Sequence, residues 1–327
     1  MNPSGIIILD GPDGTGKTTL AQYFINRYQA RYLHLTYRFK NNMFEYNTAA
    51  IELAAKWANE GYLVIIDRLW MSNYVYDKVF RKGPHQAYLG RFIDRLVLRY
   101  SGIYVICLPE NSREYLNDYN DLKSTRIEMY SRMDEIYNEY AWWWQKIQKE
   151  KWPHAIRYDM YKEGRDIQLF AQSLLERLGE ERENGYMLNP MDKNFSGSLA
   201  HGEVLFIDAK ANRRKGLPWY PRHSYTEANI HLAAVLELAG IPEYKLMWTN
   251  IESGLWKELT SKYELQPIAL GHDAYRAMVW DSGSYHFYGK PDCHITPEED
   301  LRARGQTTFM QRMIHQITQY TKLFMEK

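Results

Sequence analysis

The segment that most limits what this chain can fold into is Gly11-Pro-Asp-Gly-Thr-Gly-Lys-Thr18. It stands between the apolar run Ile6–Leu9 and the helix-like stretch Thr18–Arg27. The eight residues fit G-x4-G-K-[ST] without a gap, and that pattern works only where a strand ends and a helix begins. Glycines let the backbone turn so that successive N–H groups point inward at phosphate oxygens, and the following helix adds its positive end. Gly11, Gly14, Thr15, Gly16 and Thr19 are expected to line such a cradle, with the Asp13 carboxylate inside it. Lys17 would neutralise the β- and γ-phosphates, and the Thr18 hydroxyl would ligate Mg²⁺. ATP with Mg²⁺ is therefore the expected cofactor pair.

Two further β-branched apolar runs, Leu63–Ile66 and Ile103–Leu108, read as buried parallel strands. Helix-like stretches at Thr48–Glu60 and roughly Gln86–Tyr100 lie between them. This alternation predicts an α/β fold, a doubly wound parallel sheet with helices on both faces. Ligands in such sheets sit beyond the carboxyl ends of the strands. Asp67-Arg68 closes the second run at that end. A carboxylate there can hold Mg²⁺ through water or take a proton from an attacking hydroxyl, and Arg68 can grip an anion on the acceptor side. A surface ion pair closing the strand is the plain alternative.

Composition narrows the class. A net charge of +1 means that any nucleic-acid surface must be a local patch. There are two cysteines, Cys107 and Cys293, and Cys107 lies inside an apolar run, which argues for a reduced core thiol rather than a disulfide framework. No apolar run reaches membrane-spanning length, and the N-terminal run leads into the glycine loop rather than a cleavage site, so a cytoplasmic location is expected. No Cys/His grouping has zinc-ligand spacing.

"LDGPDGTGKTT" followed by "DRLWMSNYVY" resembles the thymidylate kinase branch of the P-loop kinases, which includes deoxynucleoside kinases. The resemblance covers roughly residues 5–180. It implies that Asp13 lies near the acceptor and that Asp67, Arg68 and Ser72 form a D-R-x3-S motif. It further implies an arginine-bearing lid, for which Arg126 and Arg132 are the candidates, and an aromatic–arginine acceptor contact, for which Tyr37, Arg38 and Phe39 are available. The triplet Trp142-Trp143-Trp144 is expected to pack its helix on the sheet.

Composition shifts near residues 179–200, where a polar, glycine-containing stretch without helical periodicity reads as a linker. The expected division is a kinase domain over 1–180, a linker over 181–201 and a second α/β domain over 202–327. In that last part "RRKGLPWYP", "LMWTN", "PIALGH" and "CHITPEED" together resemble the uracil-DNA glycosylase superfamily. Trp219 would match its base-stacking loop, Asn250 its strand-end pyrimidine reader and His294 its late histidine loop. The turn that positions the hydrolytic water in that superfamily is replaced by Asp208-Ala-Lys-Ala-Asn212, which favours base or DNA recognition over hydrolysis. Lys210, Arg213 and Arg214 beside Trp219 offer cations for phosphates and an aromatic face for a base.

Both halves together resemble the phage 5-hydroxymethyluracil DNA kinases. That resemblance implies γ-phosphate transfer from ATP to the 5-hydroxymethyl group of a base in DNA, with Asp67 or else Asp13 activating the hydroxymethyl oxygen, DNA as partner and the host cytoplasm as location. The alternatives are a thymidylate or deoxynucleoside monophosphate kinase acting on free nucleotide, and a DNA-binding or glycosylase-type repair protein with a regulatory P-loop.

Overall fold

The computed structural model describes residues 3–35, 43–81, 90–121, 132–185, 195–208, 232–233, 236–263, 265–270, 274, 278 and 294–295. The chain divides into two compact units, Met1–Ile93 with Tyr100–Gly185, and Asp94–Arg99 with Tyr186–Lys327.

The first unit is built on five parallel strands: β1 (Gly5–Asp10), β2 (Arg31–His34), β3 (Leu63–Asp67), β4 (Ile103–Cys107) and β5 (Ala155–Tyr158). Their order is β2-β3-β1-β4-β5. The helices are α1 (Lys17–Tyr28), α2 (Met43–Asn59), α3 (Trp70–Arg81), α4 (Gly90–Arg99), whose residues Asp94–Arg99 fall in the second unit, α5 (Ser112–Asp121), α6 (Met133–Glu150) and α7 (Ile167–Gly185). β1, β3 and β4 are buried along their whole length, as strands covered on both faces must be. On one face Ile7 and Leu9 pack with Leu20 and Phe24 of α1 and Leu174 and Leu178 of α7. Ile6 and Ile8 alternate to the other face and are equally buried. The expected parallel α/β sheet is therefore present.

The second unit has a smaller mixed sheet. β7 (Val204–Asp208), β8 (Leu246–Asn250), β9 (Gln266–Leu270) and β10 (His294–Ile295) are parallel, and β6 (Ser196–Gly197) runs antiparallel to β8. Strand alternation splits its core. Val204, Phe206, Leu246 and Trp248 share one cluster, while Leu205, Ile207 and Met247 pack with Trp256 and Leu259 of α8 (Leu255–Tyr263) in another. Within this unit Arg95 Nε donates to Glu243 Oε1 at 2.5 Å and the guanidinium lies 3.8 Å from the Trp248 ring centroid. Trp248 Nε1 donates to the same carboxylate oxygen at 2.9 Å.

Two local expectations are corrected. The tryptophan triplet does not pack as a block: Trp143 is buried but Trp142 is 49% exposed. Consecutive helical residues point about 100° apart, so three in a row cannot share a face. The polar stretch after residue 179 is helical to Gly185, because its Glu and Arg residues are good helix formers that need no apolar stripe in a solvated last turn. Among the described residues no helix is long and apolar enough to cross a membrane.

Candidate active site

The loop between β1 and α1 is forced against the end of β4. Gly11 has φ 147°, and a Cβ there would lie 2.2 Å from the Cys107 carbonyl oxygen, so only glycine fits. Gly16 caps α1 in the left-handed region, φ 80°, and contributes no side chain, so no side-chain bond occupies that end of α1. Thr15 Oγ1 donates to the Pro12 carbonyl at 2.8 Å, which tightens the turn. Lys17 reaches back along the loop, and Nζ donates to Gly11 O at 2.9 Å and to Pro12 O. Burial, with the Arg68 charge adding to it, lowers the Lys17 ammonium to about 8, while Asp13, Cys107 and Asp67 pull the other way. Thr18 and Thr19 are exposed at the first turn of α1.

β1 and β3 end side by side, with Leu9 paired to Asp67, so each delivers one carboxylate to the same end of the sheet. Alternation then separates the two. Asp10 follows the parity of Ile8 and faces α3 and α6; Asp67 follows Ile65 and shares the face of α1. Asp10 is consumed by the interior. Oδ1 accepts from Gly11 N at 3.0 Å, Ser72 Oγ at 2.5 Å and Tyr140 Oη at 2.8 Å, and Oδ2 accepts from Leu69 N at 3.1 Å and Ser72 N at 3.4 Å. Burial raises its pKa above the ordinary carboxylate value, against the pull of these donors.

Asp67 is arranged differently. Oδ2 accepts from Tyr32 Oη at 2.5 Å and from His34 Nδ1 at 3.0 Å, whereas Oδ1 is buried with no hydrogen-bond partner among the described residues. The next residue, Arg68, has a left-handed backbone, φ 73°, held by its N–H bond to Leu9 O at 2.8 Å. Its guanidinium is ion-paired to Asp13, donates to Ser72 Oγ at 3.3 Å and lies 5.2 Å from the Tyr76 ring centroid. Tyr115 Oη donates to the Asp13 carbonyl at 2.5 Å and so ties α5 to the loop.

Thus Gly11, Asp13, Gly14, Thr15, Gly16, Lys17, Thr18, Asp67 and Arg68 all gather at the C-terminal edge of β1 and β3. Ser72 is 3% exposed and turned inward to Asp10 and Tyr140. Arg132 stands before α6, where it donates to the Val79 carbonyl and pairs with Glu135. Asn250 ends β8 as expected, but its Oδ1 accepts from Ser253 N at 2.9 Å, capping a single helical turn. His294 pairs in β10 with Ala269. Arg38, Arg126, Lys210, Arg213, Arg214 and Trp219 lie outside the described residues. Sequence reasoning did not single out Asp10, Tyr32, His34, Tyr115 or Tyr140. The spacing of Tyr32 and His34 put them on one strand face, and the polar end of "IIILD" marked Asp10, but the partners of each come from sequence-distant elements.

The site suits nucleotide phosphates. Lys17 Nζ lies against the loop at Gly11 O and Pro12 O, and one Asp67 oxygen has no partner among the described residues. Thr18 and Asp67 are the residues that would hold a divalent ion beside the phosphates; among the described residues no three His, Cys, Asp or Glu side chains group as a metal cage.

Neither a protein-family model nor a curated protein matches the chain. Solved structures similar to it include the YorR protein from Bacillus subtilis in complex with phosphorylated GDP. That match has 19% identity and a TM-score of 0.42 and covers 54% of this chain and 98% of that one. Deoxyadenosine kinase from M. mycoides with bound dCTP matches at 14% identity and a TM-score of 0.35, covering 52% of this chain and 99% of that one. Thymidylate kinase from Candida albicans matches at 17% identity and a TM-score of 0.34, covering 55% of this chain and 93% of that one.

Proposed function

We propose that this protein is an ATP-dependent kinase that phosphorylates a hydroxyl of a thymidine-like acceptor, the 5-hydroxymethyl group of 5-hydroxymethyluracil in DNA. The observation that carries the kinase part is that Lys17 of the phosphate loop and Asp67 at the end of β3 stand at the same C-terminal edge of the parallel sheet. Lys17 is buried at the root of the phosphate loop, and the Asp67 carboxylate keeps one buried oxygen without a partner among the described residues. When bound, Mg²⁺·ATP supplies the γ-phosphoryl group and spreads its charge. The loop N–H groups and Lys17 would hold the phosphates, and Thr18 would hold the metal. Asp67 takes the acceptor proton, and Arg68, kept in place by Asp13, faces the acceptor side.

The choice of a DNA base as acceptor is supported by the sequence of the second unit, where Lys210, Arg213 and Arg214 stand close to Trp219. Flipping would be required, because a stacked base cannot bring its substituent into a closed cleft. The test is to incubate the protein with labelled ATP and, in parallel, with free dTMP, thymine-containing DNA and 5-hydroxymethyluracil-containing DNA. Label entering only the hydroxymethyluracil DNA is the expected result. Label in dTMP alone would replace the acceptor by a free nucleotide, and release of free base would overturn the kinase reading in favour of a glycosylase.

A further inference from the structure

We infer that Tyr32 and His34 are positioning residues that hold the Asp67 carboxylate in one orientation, so that Oδ1 alone meets the acceptor hydroxyl; this rests on the kinase reading above. Neither residue belongs to the phosphate loop or to the Asp67-Arg68 pair. Both come from β2, two positions apart and therefore on one face of the strand, and His34 is the direct register partner of Asp67. Their rings lie nearly parallel, 17° apart, with centroids 6.2 Å from each other.

A carboxylate can only accept, so His34 must present Nδ1–H and Tyr32 its hydroxyl proton, both to Oδ2. Two donors on one oxygen fix the rotation of the carboxylate about its Cβ–Cγ bond. The other oxygen is buried and without a partner among the described residues, an arrangement that costs stability unless a ligand completes it. Asp67 itself is 2% exposed, and its strand parity puts it on the sheet face that α1 covers, at the end where the phosphate loop begins. Tyr32 and His34 are by contrast partly open to solvent. A merely structural pair would have no reason to orient a carboxylate so that one oxygen is satisfied twice and its twin not at all.

The step this serves is balanced within the proposed reaction. The acceptor O–H proton passes to Asp67 Oδ1 as the acceptor oxygen bonds to the γ-phosphorus. The bond from that phosphorus to the β–γ bridging oxygen breaks, and its electron pair leaves on ADP. Asp67 then returns the proton to solvent.

The experiment measures two reactions with Mg²⁺·ATP in the full chain. One is transfer to 5-hydroxymethyluracil DNA, and the other is slow ATP hydrolysis without an acceptor, in which water takes the hydroxyl's place. The variants are Asp67→Asn, Tyr32→Phe, His34→Leu and His34→Asn, the last of which puts an amide N–H near the position of Nδ1. Asp67→Asn should lower kcat on the order of 10²- to 10⁴-fold. Tyr32→Phe and His34→Leu should each lower kcat on the order of 10- to 100-fold in both reactions, with KM for ATP unchanged, because a misplaced group costs rate rather than binding. His34→Asn should restore most of the loss. Should His34→Leu fail to fold, Tyr32→Phe, which removes one oxygen atom, carries the comparison with its unfolding midpoint measured alongside.

Unchanged kcat in Tyr32→Phe and His34→Leu would overturn the inference, as would a KM for ATP that rises in step or a His34→Asn variant as slow as His34→Leu. Those results leave the kinase reading standing so long as Lys17→Ala abolishes transfer. A wild-type protein that binds ATP yet neither transfers nor hydrolyses it would overturn both.

Discussion

Arg68 is ion-paired to Asp13, and this contact joins the end of β3 to the interior of the phosphate loop across 55 residues of chain. The pair fixes the distance between the two motifs before any ligand arrives, and the left-handed backbone at Arg68 is held by its N–H bond to Leu9 O. The guanidinium is divided between Asp13, Ser72 and the Tyr76 ring, a task for a planar fork rather than a point charge.

Arg68→Lys keeps the charge but not that geometry. It is expected to lower kcat/KM at least about tenfold, with a stability change under about 1 kcal/mol, since a partly exposed pair contributes little to folding. Steady-state kinetics beside urea denaturation checks both parts. An unaltered kcat/KM would leave Arg68 no more than a latch for Asp13.

Asp10 predicts the opposite balance. Every described contact of its carboxylate is a donor, so Asp10→Asn turns an amide N–H toward other N–H and O–H groups whichever way it is rotated. A loss of about 2–4 kcal/mol is expected from this buried network. Tyr140→Phe, which removes one of several donors, should cost about 1 kcal/mol. Equal losses in the two variants would show that the network is not centred on Asp10.

The backbone at Gly11 yields a paired prediction. Gly11→Ala combines φ 147° with a Cβ 2.2 Å from the Cys107 carbonyl, whereas Gly61→Ala meets nothing within 4 Å at φ 93°. The second change carries only the left-handed cost, about 1–2 kcal/mol. Gly11→Ala must also push the loop off β4, so it should cost more than Gly61→Ala and abolish ATP binding as well. Calorimetric titration with ATP separates the two variants: binding retained by Gly11→Ala would mean that the loop can shift without losing its cradle.

Much of this site could be read in the chain because its parts are local. The spacing from Gly11 to Thr18 dictates the loop, and the apolar runs dictate the parallel strands on which Asp10 and Asp67 end. What the sequence hides is how the surroundings of the two carboxylates differ. Asp10 and Asp67 both close a buried strand, and only the pairing of Leu9 with Asp67, together with the one-residue difference in parity, sends one inward and the other toward α1. Tyr32 and His34 were hidden for the same reason, since their role exists only through the register of β2 on β3. Ser72 stands four residues after Arg68 on α3, a spacing that suits either an acceptor contact or an internal bond, and the fold turns it inward. In the second unit the strand-end position of Asn250 was legible from "LMWTN", but its cap on Ser253 depends on the turn that follows.

Lys17 supplies a pH signature. Burial holds its ammonium at about 8 instead of 10.5, so the folded protein binds this proton more weakly than the unfolded chain does. The sign for folding follows: Lys17 opposes stability fully below pH 8, and that cost is relieved as pH rises from about 8 to 10.5. Phosphate binding reverses the shift, because an adjacent polyanion favours the charged amine. At pH 9 roughly nine-tenths of the free protein would carry neutral Lys17, against roughly one-tenth at pH 7, so ATP binding should take up close to one proton at pH 9 and almost none at pH 7. Calorimetric titration in buffers of different ionisation enthalpy measures this uptake directly. In Lys17→Met it should vanish at both pH values along with most of the affinity. Equal uptake in that variant would assign the proton to another group and remove Lys17 from the γ-phosphate.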